Sequence, residues 1–243
     1  MDTLGDVVAP DRRSEALAYE RPGDRSRSYS YSALCTDTWK AGNLMRHYGV
    51  REGVAVGVVD GPKDPEGDRS IRPIPESLLA VFGAAALGAP VRLDPPAEPD
   101  VRALVCPDHR RSDYTLAPGS KYLAYGGPPE DPTVAHFERE LWSENPIQFP
   151  DPVDPDSVAV VDADGEYTHA SLLSAAEGVV EAYGLTADDS VAIDTPLDDA
   201  GTLVAGVLAP LSVGGTITTG GDAALVVGEG DGENRIAPAA ARP

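Results

Sequence analysis

Four histidines, two cysteines and three short acidic or glycine-rich turns hold most of the reactive side chains in this chain. His47, His109, His136 and His169 are scattered, with no HxH or HExxH spacing to bring two imidazoles to one metal ion. Cys35 and Cys106 form neither a CxxC pair nor a disulfide framework. Two small buried hydrophobes in a reducing compartment are expected instead. No GxSxG elbow is present. Asp162-Ala163-Asp164-Gly165 opens like a calcium loop, but the remaining ligands, including a closing Glu, do not follow in register. Asp-Gly is a strong turn signal, so a hairpin-like turn is expected there. Gly228-Glu229-Gly230-Asp231-Gly232 is glycine-rich like a phosphate cradle, yet it is acidic and precedes no helix. Thr218-Thr219-Gly220-Gly221 follows a strand but has no lysine, and reads as a turn. The sequence therefore predicts no catalytic residue, no cofactor-binding residue, no metal ligand and no cofactor.

The elements that carry these residues alternate between strand and helix. A short strand at 16–19 precedes a helix that Ser30 caps. Leu34, Ala41, Leu44, Met45 and Tyr48 lie at helical spacing, and Gly49 ends the run. Val54, Val56 and Val58 alternate as in a strand. A loop at 61–73, a helix at 76–87 stopped by Gly88, and strands at 91–93 and 101–106 complete this half. Repeated prolines make 114–155 a connector with one short helix near 134–141. A strand at 158–161, the Asp162–Gly165 turn and a helix capped by Thr168 come next. Leu172, Ala176, Val179, Val180 and Tyr183 share a face of that helix, which Gly184 ends. A strand through Val191 and Ile193, an apolar helix at 199–211 and strands at 216–218 and 223–227 follow. Residues 228–243 read as a frayed tail.

Charge restricts the partners. The formal net charge is -21, with Lys40, Lys63 and Lys121 the only lysines. Such a surface repels nucleic acid and anionic lipid, so neither nucleic acid nor membrane is an expected partner. Residues 1–10 have neither a basic start nor an apolar run, so no signal peptide is expected. The longest apolar stretches, 78–87 and 203–213, fall short of the ~20 residues of a membrane span. A cytoplasmic location follows as the expectation. Multimolar salt suits this composition, because at about 1 M ionic strength the Debye length is only ~3 Å.

The two halves align. Ser30-Tyr31-Ser32-Ala33-Leu34 matches Thr168-His169-Ala170-Ser171-Leu172, and Tyr48-Gly49-Val50 matches Tyr183-Gly184-Leu185. The valine strand matches the one around Val191 and Ile193. Gly88-Ala89-Pro90-Val91 matches Gly214-Gly215-Thr216-Ile217. Ordered self-similarity of this kind predicts an internal duplication. The expected class is α/β, with two tandem related subdomains whose parallel or mixed sheets are covered by helices. The expected boundaries are a first subdomain at 1–113, a proline-rich connector at 114–155, a second subdomain at 156–228 and a flexible tail at 229–243.

These landmarks resemble the N-terminal domain of the AMP-dependent synthetases and ligases, the acyl-adenylate-forming enzymes. The resemblance is carried by Ser30 to Leu34, Gly49-Val50, the strand at 54–59 and the segment 76–95 in the first half. Thr168-His169-Ala170-Ser171-Leu172 and the Ala209-Pro210-Leu211, Gly214-Gly215-Thr216-Ile217 series carry it in the second. The family implies a Ser/Thr/Gly-rich phosphate loop ending in Pro-Lys-Gly just before Thr-His. Here Asp162-Ala163-Asp164-Gly165-Glu166-Tyr167 runs straight into Thr168-His169. No Lys or Arg occurs from Glu140 to Asn234, where nineteen acidic residues do. The family's later adenine- and ribose-binding segments and its C-terminal domain with the catalytic lysine have no counterpart in this sequence.

The resemblance thus implies the fold and argues against adenylation. The leading expectation is a degenerate, non-catalytic relative acting as a binding or regulatory module, with self-association or a full-length synthetase as partner. A split acyl-CoA synthetase subunit completed by another chain is one alternative. A small-molecule binder using the cleft between the subdomains is the other. His169 stands where the family's Thr-His does and is the one histidine weighed for a retained role. The sheet through Val191, Ile193, Thr216, Ile217, Leu225 and Val227 is expected to lack part of its cover, which motivates the partner.

A fold carrying this much charge of one sign should need salt. Circular dichroism across a KCl series should show structure lost as the salt falls. A melting temperature indifferent to salt would contradict this.

Overall fold

The computed structural model of the chain describes residues 1–22, 28–66, 75–149 and 152–243. The expected loop at 61–73, and Pro150 of the expected connector, lie partly or wholly outside those residues. The chain opens on a 3-10 turn, Leu4–Val8, with Leu4, Val7 and Val8 buried. β1 (Leu17–Glu20) and β2 (Tyr29–Ser30) pair as an antiparallel hairpin. α1 (Tyr31–His47) begins where the Ser30 hydroxyl accepts the Ala33 amide at 3.2 Å. A cap of this kind is worth ~1 kcal/mol. Leu34, Ala41, Leu44 and Met45 are buried along one face of α1, against α2. β3 (Val56–Val58), α2 (Pro75–Ala85), β4 (Val91–Leu93) and β5 (Ala103–Pro107) follow. Every residue of α2 from Glu76 to Ala85 is buried, as its nearly continuous apolar run requires.

The stretch 114–155 is more than a connector. It supplies β6 (Lys121–Tyr125), β7 (Ala135–His136) and α3 (Phe137–Ser143). β6 runs parallel to β5 over five residue pairs. The prolines lie outside β6, so they punctuate the segment without breaking its ladder.

In the second half, β8 (Val158–Val161) and β9 (Glu166–Thr168) form a second antiparallel hairpin. α4 (His169–Tyr183) starts on the Thr168 hydroxyl, which accepts the Ser171 amide at 3.1 Å. β10 (Ser190–Ile193) leads to the predicted apolar helix, made of α5 (Ala200–Thr202), a π-helical turn (Leu203–Leu208) and α6 (Ala209–Val213). The wide turn sits just ahead of Pro210, which has no N–H to continue the ladder. β11 (Thr216–Thr218) and β12 (Leu225–Val227) come next.

The flexible tail expected at 229–243 is instead folded. β13 (Arg235–Ile236) lies parallel to β12, and a 3-10 turn, Pro238–Ala241, buries Pro238 and Ala241. Arg235 reaches Asp194 at 3.2 Å, and Arg242 reaches Asp164 at 2.6 Å. These arginines are the first cations after Arg139, and the acidic second half holds both. Gly201 admits the Pro238 carbonyl so closely that a Cβ there would stand 1.9 Å from its oxygen.

The sheets share one plan. The first has the order β7-β6-β5-β3-β4-β8-β9, and the second β13-β12-β10-β11-β1-β2. Apart from β7, the strands correspond position by position. Each sheet ends on the hairpin of the other half: β8 is parallel to β4, and β1 is parallel to β11. Even the irregularity repeats, with a register shift between Leu17 and Tyr19 in one hairpin and between Val158 and Val160 in the other. The architecture is α/β, with mixed sheets flanked by helices. The sheets do not coincide with the expected segments, because β1 and β2 come from 1–113 and β8 and β9 from 156–228. Nor does the second sheet lack cover at the side chains named for it. Val191, Ile193, Ile217, Leu225 and Val227 are buried, and only Thr216 is half-buried.

Tyr31 and His169 open α1 and α4, and each reaches into the other half. The Tyr31 hydroxyl donates to the Gly215 carbonyl at 2.7 Å. The His169 Nδ1 accepts the Leu4 amide at 3.1 Å, so the ring proton sits on Nε2, a buried atom with no hydrogen-bond partner among the described residues. Burial pushes the His169 imidazole down to about 4 from its usual 6.5. A group whose folded value is depressed binds fewer protons folded than unfolded. The stability it contributes is present above pH ~6.5 and is lost as pH falls toward ~4, by at most about 3 kcal/mol. His169→Asn keeps an acceptor for Leu4 but cannot titrate in this range. Thermal melts from pH 7 to pH 4.5 should show a steeper loss in the wild type than in H169N. Parallel slopes would rule out this role for His169.

Candidate functional site

The resemblance places a phosphate loop between β8 and β9, and a tight turn stands there. The Asp162 amide donates to the Gly165 carbonyl at 3.0 Å, closing the hairpin. The buried Asp162 side chain turns inward. Its Oδ1 accepts the Asp164 and Gly165 amides at 2.8 and 3.1 Å, and its Oδ2 accepts the Ala200 amide at 2.8 Å. Asp199 caps α5 in the same manner, with Oδ1 accepting the Gly201 and Thr202 amides at 2.8 and 3.1 Å. Its Oδ2 accepts the Thr202 hydroxyl at 2.7 Å. Arg242 supplies the counter-charge, to Asp164 at 2.6 Å and to Asp199 at 3.8 Å.

Backbone amides gathered at a turn and a helix start attract anions. Here five such amides already hold carboxylates of the same chain. An incoming phosphate would have to displace Asp162 and Asp199 and then meet their charge. The sequence shows the acidic turn, but not that Asp162 spans 38 positions to cap α5, nor that Arg242 completes the cluster. The rarity of cations after Arg139 was the available signal.

A second concavity lies outside the carboxyl ends of the strands, where open α/β sheets place ligands. It is lined by Val59 and Asp60 after β3, Asp94 after β4, Arg110, and Pro196, Leu197 and Asp198 after β10. Ser77 donates to Asp60 at 2.7 Å, and the Tyr125 hydroxyl to the Val59 carbonyl at 2.7 Å. Asp94 takes a φ of 45°, a conformation in which Asp is tolerated. The cavity measures about 80 Å³. That holds two or three waters at ~30 Å³ each, well below the ~300 Å³ of an ordinary ligand pocket.

The remaining candidate residues stay apart. His47 packs edge-on against Tyr48 at 5.3 Å, and His109 is exposed on a 3-10 turn. His136 lies 3.3 Å from Glu138. His169 is fully buried and takes part in packing. Among the described residues no three His, Cys, Asp or Glu side chains are grouped to hold a metal. Burial pushes the Cys35 thiol up to about 11 and the Cys106 thiol up to about 12, so both are protonated near neutrality. The Thr218–Gly221 segment is a turn in which the Thr218 hydroxyl donates to the Gly220 carbonyl at 2.7 Å. Gly228 lies in the connection to β13, its amide donating to the Ile236 carbonyl at 3.0 Å. Among the described residues no helix is long and apolar enough to cross a membrane.

No family model and no curated protein matches the sequence. Solved structures do resemble it. The anthranilate CoA ligase AuaEII, in complex with anthranoyl-AMP, gives a TM-score of 0.72 at 16% identity, over 89% of this chain and 44% of that one. An acyl-CoA synthetase from Brucella canis gives 0.67 at 14% identity, over 90% and 43%. A nonribosomal peptide synthetase gives 0.66 at 20% identity, over 89% and 22%. The chain thus spans less than half the length of each. At such identities the likeness is one of fold, and the fold is that of the N-terminal part of the adenylate-forming ligases.

Proposed function

We propose that the chain is a non-catalytic, adenylate-forming-ligase-like module that serves in binding or regulation. One observation carries this reading: the Asp162 carboxylate accepts the Asp164, Gly165 and Ala200 amides, at the position where the family has its phosphate loop. The amides that would attract a phosphate are already satisfied, and the nearby cation, Arg242, is engaged by Asp164 and Asp199. The absence of any Lys or Arg from Glu140 to Asn234 supports it further. Self-association or a full-length synthetase remains the proposed partner.

The second reading is a subunit of a split acyl-CoA synthetase. It rests on the likeness in fold to the N-terminal part of the adenylate-forming ligases. ATP–pyrophosphate exchange that appears only when native lysate is added to the purified chain would favour this reading over the first.

Calorimetry with Mg·ATP in molar KCl tests the leading reading. No binding tighter than ~100 µM, about -5.5 kcal/mol, is expected. A tighter dissociation constant from the chain alone would overturn it.

A further inference from the structure

Away from the Asp162 turn, a cavity of about 200 Å³ opens between β2 and the helices α1, α2 and α3. Leu79, Phe137 and Leu141 give it apolar walls, and Tyr29 and Trp142 add aromatic ones. Trp142 is 82% exposed, which is unusual for so large an apolar side chain. Asp37, Glu76 and Glu138 supply carboxylates to the same space.

The charges there do not balance. Lys40 lies 3.4 Å from Asp37. Lys63 bridges Glu76 and Glu138, reaching the latter at 3.1 Å. Among the described residues, three carboxylates thus face two ammonium groups. Glu138 is further engaged by the Gly126 amide at 2.9 Å and lies 3.3 Å from the His136 ring. Glu76 is only 6% exposed, and among the described residues its buried Oε2 has no hydrogen-bond partner. A buried carboxylate oxygen left without a donor is costly, and it is the kind of group a ligand satisfies. Burial pushes the Glu76 carboxyl above its usual range, with Lys63 opposing the shift. The aromatic wall already attracts a cation, since the Lys40 ammonium lies 5.8 Å from the Trp142 ring centre.

We infer that this cavity binds a small organic cation, an ammonium or guanidinium group on a short aliphatic stem. The cationic head would pair with Glu76 and Glu138, and the stem would lie against Leu79, Phe137 and Trp142. The volume corresponds to about seven waters at ~30 Å³ each, so a ligand of comparable size fits and a nucleotide does not. Such a site is separate from the β8–β9 turn and does not depend on the reading of that turn.

The probes are n-butylammonium and n-butylguanidinium chloride, with n-butanol as the neutral counterpart, titrated in molar KCl. Trp142 reports by fluorescence, against the buried Trp39 as background, and calorimetry gives the affinity. At least one cation should saturate with a dissociation constant below about 10 mM, and n-butanol should not. Glu76→Gln should weaken binding at least about tenfold, the worth of one charge-assisted contact. If E76Q does not fold, Trp142→Ala is the second variant, since its exposed side chain contributes little to the core. W142A should weaken binding several-fold by calorimetry with the melting temperature unchanged. No saturable response to either cation, an equal response to n-butanol, or undiminished binding in a folded variant would overturn the inference.

Discussion

Strand pairing across the two halves is the constraint on which the remaining structure depends. β8 is hydrogen-bonded to β4, and β1 to β11, so each sheet is completed by a hairpin whose chain continues into the other sheet. A hairpin on its own is marginal in water, and a parallel strand pair requires a long crossover. Here the exchange supplies both hairpins with a sheet to join and covers the outer sides of β4 and β11. It also fixes where α1 and α4 begin, because Ser30 and Thr168 are the last residues of β2 and β9 and at once the helix caps. The bonds from Tyr31 to Gly215 and from Leu4 to His169 sit just beyond those caps, again joining one half to the other.

Acidity shapes the interior contacts as well as the surface. Asp162 and Asp199 place carboxylate oxygens on the amides at the start of α5, which would otherwise need water or a ligand. Their charge in turn holds Arg242, and Asp194 holds Arg235, so the last residues of the chain are drawn onto the second sheet. The geometry that makes a helix start attractive to phosphate is retained, but the chain fills it from within.

Much of this plan was legible in the sequence. Helix starts at Ser30 and Thr168, positive-φ glycines at 49, 88, 184 and 214, and alternating valines mark local choices that the backbone must make. Their order gave the fold class and the resemblance. What local signals do not encode is which strand pairs with which. The exchange of hairpins is set by pairings between residues 69 positions apart for β4 and β8 and 198 apart for β1 and β11. β6 was obscured because prolines crowd its flanks, although none lies within Lys121–Tyr125. The final segment read as tail because glycine, alanine and proline outnumber its two arginines, and those arginines act only through distant carboxylates. At the candidate site, the acidic turn was legible but its grip on Ala200 was not, since a cap from 38 residues away leaves no periodic trace.

If each half completes the other's sheet, neither can unfold alone. Differential scanning calorimetry in molar KCl tests this directly, because a cooperative unit shows one transition with equal calorimetric and van't Hoff enthalpies. The exchange predicts a single transition with an enthalpy ratio near one. Two separable transitions, each with the enthalpy of about half the chain, would contradict it.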